Sequence, residues 1–245
     1  MPKQFLSAIS ITIGLLTTLV VNTGALAQEV RAFSQAQGTQ APAPWRFVGL
    51  PERYAKPATV IDITTLDGSK TLQLSADKAW GSLAHPWTGP AQTVRFQWRL
   101  DKPLTTASLK TKATEDAALK VCLSFDMPTD RIPSSERTLF RLAQFVSKDK
   151  LPTATLCYVW AQVEDIGSLH PSPTTARVRY LVLNNSNSPA KTWQAHTRNL
   201  SADFTKAFGA ESATMPTVTA IIVGADSDNT QGNSLGYIAD IVVQP

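Results

Sequence analysis

The sharpest polar cluster in the chain is Gly224-Ala225-Asp226-Ser227-Asp228-Asn229-Thr230-Gln231-Gly232-Asn233. Asp226, Asp228, Asn229 and Thr230 put two carboxylates, an amide and a hydroxyl within five positions, a set of hard oxygen donors that suits calcium. An EF-hand loop starting at Asp226 fails, because its sixth position is Gln231 rather than Gly and its twelfth is Tyr237 rather than Glu. The plainer reading is that Asp and Asn in a hairpin loop bond their own backbone through Asx-turns. The density of polar side chains exceeds what a turn needs. It predicts that Asp226 and Asp228 point toward other chain segments, with Asp226 near a basic or amide group such as Arg198.

Other chemistry-bearing residues are scattered. Ser227-Asp228-Asn229 with Ser75-x-x-Lys78 or Ser147-x-x-Lys150 spells two elements of the penicillin-interacting serine enzymes. The required K-T-G cannot follow, since no Lys occurs after residue 206. There is no G-x-S-x-G elbow and no H-E-x-x-H, and His85, His170 and His196 stand apart from one another. Glu115-Asp116 and Glu164-Asp165 are adjacent pairs at strand edges, where neighbours face opposite ways, so both pairs are expected in solvent. Trp80 and Trp87 bracket a loop with Pro, Gly and His. Exposed there, they would stack on sugar rings; folded inward, they would be core, as Trp usually is. Trp98 and Trp160 read as core, and Trp193 precedes Arg198 in an edge strand.

The elements that must position these groups are mostly strands. Thr59–Thr64 and Thr71–Leu74 flank Asp67-Gly68, a hairpin signal. Thr93–Leu100 alternates cleanly: Val94, Phe96, Trp98 and Leu100 face a core, while Arg95, Gln97 and Arg99 face water or a covering loop. Leu119–Phe125, Thr155–Val163, Arg177–Leu183, Val218–Val223 and Leu235–Val243 supply further strands. Helices are expected near 135–148, with Leu139, Leu142 and Phe145 at helical spacing, and near 201–208, capped by Ser201. Many short strands and few helices predict an all-β antiparallel sandwich, a jelly roll, with the 135–148 helix inserted on one face or end.

Lys3, an apolar run from Phe5 to Val21 and Ala25-Leu26-Ala27 have the form of a secretory signal peptide over residues 1–27. The Ser and Thr interrupting that run make it a poor permanent span, and no other stretch is long enough, so no integral span is expected after processing. Residues 28–44, rich in Gln, Ala, Pro and Thr, read as a flexible leader, and 45–245 as one domain. The net charge of +4 is mild and its Lys and Arg are dispersed, which argues against a nucleic-acid partner. Export places Cys122 and Cys157 in an oxidising compartment, where they either pair as a disulfide or stay as buried thiols.

Several of these elements together resemble a known family: Phe96-Gln97-Trp98-Arg99-Leu100, Lys112 with Glu115-Asp116, Tyr158-Val159-Trp160-Ala161, Trp193 with Arg198-Asn199-Leu200, Asp203-Phe204, Phe208-Gly209 and Asp226–Thr230. The likeness, over Trp45–Val243, is to exported bacterial proteins catalogued as domain of unknown function 3047. It implies an exported β-rich fold and no particular chemistry. The strand-and-loop plan is also similar to galactose-binding-like jelly rolls, which suggests glycans at the level of fold analogy. The reading is a periplasmic or secreted, non-catalytic binding protein for a glycan or another envelope component. Asp226, Asp228, Asn229, Thr230, Arg198 and Lys112 would make polar contacts, Trp80 or Trp87 would stack, and no cofactor is expected, Asp226 and Asp228 being the candidate ligands should calcium bind. The alternatives are an envelope polysaccharide hydrolase using carboxylates such as Asp116 and Asp226, and a structural partner of an envelope assembly.

Overall fold

The computed structural model describes residues 29–49, 56–146 and 150–245. The apolar run expected to be a signal peptide, and the last residues of the expected 135–148 helix, lie outside them.

Thirteen strands are described: β1 (Arg46–Val48), β2 (Val60–Leu66), β3 (Ser69–Asp77), β4 (Trp80–Pro86), β5 (Thr93–Lys102), β6 (Leu119–Phe125), β7 (Ala154–Trp160), β8 (Leu169–Pro171), β9 (Val178–Asn184), β10 (Gln194–Asn199), β11 (Val218–Asp226), β12 (Asn233–Ile238) and β13 (Val242–Gln244). Two helices, α1 (Ser134–Val146) and α2 (Leu200–Phe208), complete them. One sheet runs β1-β4-β11-β6-β7-β9-β8. The other runs β10-β5-β12-β3-β2, with β13 also on β5. The fold is the expected β-sandwich, and among the described strands one pair departs from a purely antiparallel plan. β9 pairs parallel to β7, because the chain turns back through β8 before β9 begins beside the start of β7.

The alternation read along β5 is the core pattern. Val94, Phe96, Trp98 and Leu100 are all buried, and Trp98 meets Phe96 and Trp160 edge-on or tilted at 5.0 and 6.1 Å. β6 and β7 are buried on both faces. Their outer face is covered by Leu109 and Ala117 of the 103–118 segment, over a smaller apolar cluster that includes Cys122, Cys157, Val159 and Val182. Cys122 and Cys157 lie directly opposite each other and are joined by a disulfide. Asp67 and Gly68 both adopt positive φ (50° and 81°), the turn that the twist of a two-residue hairpin demands.

Three expectations change. Residues 29–44 are not a flexible leader: Val30, Phe33 and Ala36 are buried, Phe33 packs on Trp45 at 4.9 Å, and Ile63 N–H donates to Thr39 O. Single anchor residues in a Gln/Ala/Pro-rich stretch leave no period to detect. Second, α1 is present, but Leu139, Leu142 and Phe145 are 68%, 60% and 86% exposed, and Phe140 is the side chain that enters the core. Third, α2 is capped by Asn199, whose side chain accepts from Ala202 N–H, rather than by Ser201.

Asn184 Oδ1 accepts from both Trp98 Nε1 (2.8 Å) and His196 Nε2 (2.7 Å). Burial, with the Arg198 charge beside it, pushes the His196 imidazole down to about 4. A lowered folded value means that His196 contributes stability above its ordinary value near 6.5, and that this is lost as pH falls through about 4. Stability is therefore expected to decline over that window. His196→Gln, which keeps a donor to Asn184, should flatten the decline in urea titrations at pH 7, 5 and 4. An unchanged slope would assign the acid sensitivity elsewhere.

Candidate functional site

The polar residues singled out by their spacing divide into groups with different surroundings. Asp226 ends β11 and faces the outer side of the seven-stranded sheet. Its Oδ1 accepts from Ala117 N–H and its Oδ2 from Lys120 Nζ, each at 2.8 Å. Asp116 accepts from Asn229 and Thr230, from Thr230 N–H at 2.7 Å, and Asn229 Nδ2 also donates to Glu115 O at 3.0 Å. Glu115 is held by Tyr180 and Thr174 hydroxyls. The β11–β12 loop is thus bolted to the 115–117 segment, and the adjacent acid pair is buried rather than solvated. The period-2 argument does not reach Glu115-Asp116 or the buried Glu164, because these residues lie in connections folded onto the sheet and not in strands.

Arg198 is not Asp226's partner. It belongs to β10 in the other sheet, where it forks onto Asp203 at 2.6 and 2.9 Å beneath the Tyr158 ring. Lys112 is exposed, apart from the cluster. Trp87 is buried in the core and donates to Gly89 O, so it offers no stacking face. Trp80 is half-buried beside Asp226 in register, with Lys120 Nζ 5.3 Å from its ring centre. Burial lifts the Asp226 carboxyl above the ordinary range despite Lys120. It lifts Asp228 as well, reinforced by the Asp116 charge and eased by Lys56 at 3.6 Å. With both oxygens of Asp226 turned on nitrogen donors and Asp116 accepting from loop donors, this cluster is built as a staple. Among the described residues no group of three His, Cys, Asp or Glu is arranged to hold a metal ion.

The arrangement open to a ligand lies on the outer face of the six-stranded sheet. Asp62 of β2 is opposite Gln73 of β3, Gln73 opposite Tyr237 of β12, and Tyr237 opposite Arg99 of β5. Directly paired residues share a face, so these four side chains form a row across four strands. Arg99 forks onto Asp101 (2.7 and 3.1 Å), and its remaining amine donates to Asp67 Oδ2 at 3.1 Å. Trp193, just ahead of β10, donates its indole N–H to the same oxygen at 3.0 Å. Asp67 sits at the β2–β3 turn, and β12 separates β3 from β5. The hairpin tip must therefore curl over the sheet to reach Arg99, which gives the open face a lip. Gln97, Arg95 and Thr197 continue the surface and are exposed.

Together with the row, the part-exposed Trp193 offers this surface one accessible aromatic ring beside a guanidinium, carboxylates and amides, while Tyr237 is buried beneath them as its floor. Aromatic faces meet sugar C–H groups, while Arg, Asp and Gln are the donors and acceptors that pair with vicinal hydroxyls. Tyr237 is shifted upward, first by burial and then by the Asp101 charge, so its hydroxyl stays a neutral donor. Arg95 and Arg99 face Asp62, Asp67 and Asp101, a near balance of charge that suits a neutral ligand. The alternation of Arg95, Gln97 and Arg99 marked this face as wet. Tyr237, Trp193 and Asp67 were missed as members, because only strand register brings them together.

No curated protein matches the sequence. Among solved structures, the K3 cleaved adhesin domain of Lys-gingipain from Porphyromonas gingivalis w83 is 8% identical, with a TM-score of 0.39 over 89% of this chain and 100% of that one. TmCBM61, solved in complex with beta-1,4-galactotriose, is 11% identical with a TM-score of 0.34, over 82% and 88%. A family 12 xyloglucanase from Bacillus licheniformis is 12% identical with a TM-score of 0.39, over 89% and 97%. The profile of one protein family, described as Protein of unknown function (DUF3047), matches residues 43–242.

Proposed function

The chain belongs to the DUF3047 family, and from that premise we propose that it is an exported β-sandwich that binds a neutral glycan of the cell envelope on the open face of its six-stranded sheet. The observation that carries this reading is the bridge from Asp67 to both Arg99 and Trp193, which holds an aromatic ring and a guanidinium side by side at the Arg99 end of the Gln73–Tyr237–Arg99 row. Export is supported by Lys3, the apolar run and Ala25-Leu26-Ala27, and by a disulfide, which persists in oxidising compartments. No described helix is long and apolar enough to cross a membrane. Binding is favoured over hydrolysis by Asp116 and Asp226, since loop and Lys120 donors occupy both carboxylates.

A glycan array on the exported protein, followed by calorimetric titration of the best neutral oligosaccharide, tests the proposal. Trp193→Ala and Gln97→Ala are each expected to weaken binding roughly tenfold, the loss that follows from about 1–1.5 kcal/mol of stacking or hydrogen bonding. Trp80→Ala is expected to leave affinity unchanged. The reverse pattern would move the site to the Asp226 end of the molecule, and an array with no neutral glycan bound would remove the proposal.

A further inference from the structure

Helix α1 is amphipathic with its apolar side outward. Leu139, Leu142 and Phe145 follow one another at i+3 spacing, so they form a single stripe, and all three are exposed. The opposite side is what docks the helix. Phe140 enters the core, Arg137 donates to the carbonyls of Asp130 and Ile132, and Glu136 pairs with Arg177 ahead of β9. A surface helix ordinarily turns its apolar stripe to the protein and its charges to water. Here the charged and polar contacts hold the helix down and the large apolar side chains are left free.

The charges around the stripe indicate what covers it. Arg141, on the helix, and Arg131, just before it, are exposed guanidiniums. Of the nearby acids, Glu136 and Glu211 are matched by Arg177 and Arg179 and Asp126 by Lys150, which leaves Asp130 as the acid to set against Arg131 and Arg141. A short helix of low overall hydrophobicity, with Leu and Phe on one side and Arg at its margin, is the pattern of a helix that lies in the plane of an anionic lipid surface.

We propose that α1 docks this protein on an anionic membrane leaflet, with Leu139, Leu142 and Phe145 entering the boundary between headgroups and acyl chains and Arg131 and Arg141 meeting lipid phosphates. The helix belongs to the end of the seven-stranded sheet where β6 ends and β7 and β9 begin, and no residue of it belongs to the open face of the other sheet. Membrane docking and glycan binding therefore use separate surfaces.

Co-sedimentation of the exported protein with vesicles of phosphatidylglycerol and phosphatidylcholine tests this, with vesicles of phosphatidylcholine alone as reference. The protein should partition at least tenfold more strongly onto the anionic vesicles, and less so at high salt. The double variant Leu142→Gln/Phe145→Gln changes only exposed side chains and should keep the native melting temperature while losing roughly tenfold or more of the partitioning. Arg131→Glu/Arg141→Glu should abolish the preference for phosphatidylglycerol. Equal partitioning of all variants would overturn the proposal. So would a wild-type dimer, seen by analytical ultracentrifugation without vesicle binding, that the Gln variant converts to monomer, since a second copy would then cover the stripe.

Discussion

Replacing Lys120 by Met is expected to cost about 3–5 kcal/mol of folding stability at neutral pH, the range for stripping a buried charge of its partner. Lys120 reaches across from β6 to place Nζ 2.8 Å from Asp226 Oδ2, with only 10% and 9% of the two side chains exposed. Met keeps most of the stem's packing against Trp80 and removes the charge, so the loss reports on Asp226 left without its cation. The pH dependence has a definite sign. Burial already raises the folded Asp226 pKa above its unfolded value. Such a carboxyl contributes stability below the ordinary carboxylate value, and this is lost as pH rises through the raised folded value. In Lys120→Met the lowering influence of the ammonium is gone, so the deficit should be largest near pH 7 and shrink toward pH 5 as Asp226 takes up a proton. The double variant Lys120→Met/Asp226→Asn should recover most of the loss. Urea denaturation of the three proteins at the two pH values measures this. A deficit under about 1 kcal/mol, independent of pH, would mean that the pair is screened by water and staples nothing.

Removing the disulfide with Cys122→Ala/Cys157→Ala is expected to cost about 4 kcal/mol, from the chain entropy restored to an unfolded state no longer closed over a 35-residue separation. The bond joins opposed residues of β6 and β7 under the 103–118 segment, so loosening it also loosens the cover that Asp226 and Asn229 fasten. Guanidinium titration of the double variant against the oxidised wild type reads the difference. A shift below about 1 kcal/mol would show that the sheet ladder alone sets the stability of this region.

The legible parts of the fold were those with local periodicity. Val94, Phe96, Trp98 and Leu100 announce β5 because every second side chain must enter the core, and Asp67-Gly68 announces its hairpin because few other residues accept two positive φ angles. Lone anchors carried no such signal, so Phe33 and Val30 read as leader. Helical spacing in α1 was visible, but spacing cannot say which way a stripe faces. The polar loop stands out by its density, which also points to attachment to another segment. Its partner is not legible, because the choice of Lys120 over Arg198 depends on β6 lying beside β11 while β10 lies in the other sheet. The open-face row is the extreme case. Gln73, Arg99 and Tyr237 are far apart in the chain and become neighbours only through the register of β3, β12 and β5.

That register also says where a ligand should be felt. The decisive measurement is an amide and indole NMR titration of the protein with the neutral oligosaccharide that binds best. Glycan binding on the open face predicts the largest shifts at Gln73, Gln97, Arg99 and Tyr237 and at the Trp193 indole, with the Asp226–Thr230 loop and the Trp80 indole unmoved. Shifts concentrated at Trp80, Lys120 and Asp226–Thr230, with the β5–β12 amides unmoved, would contradict it.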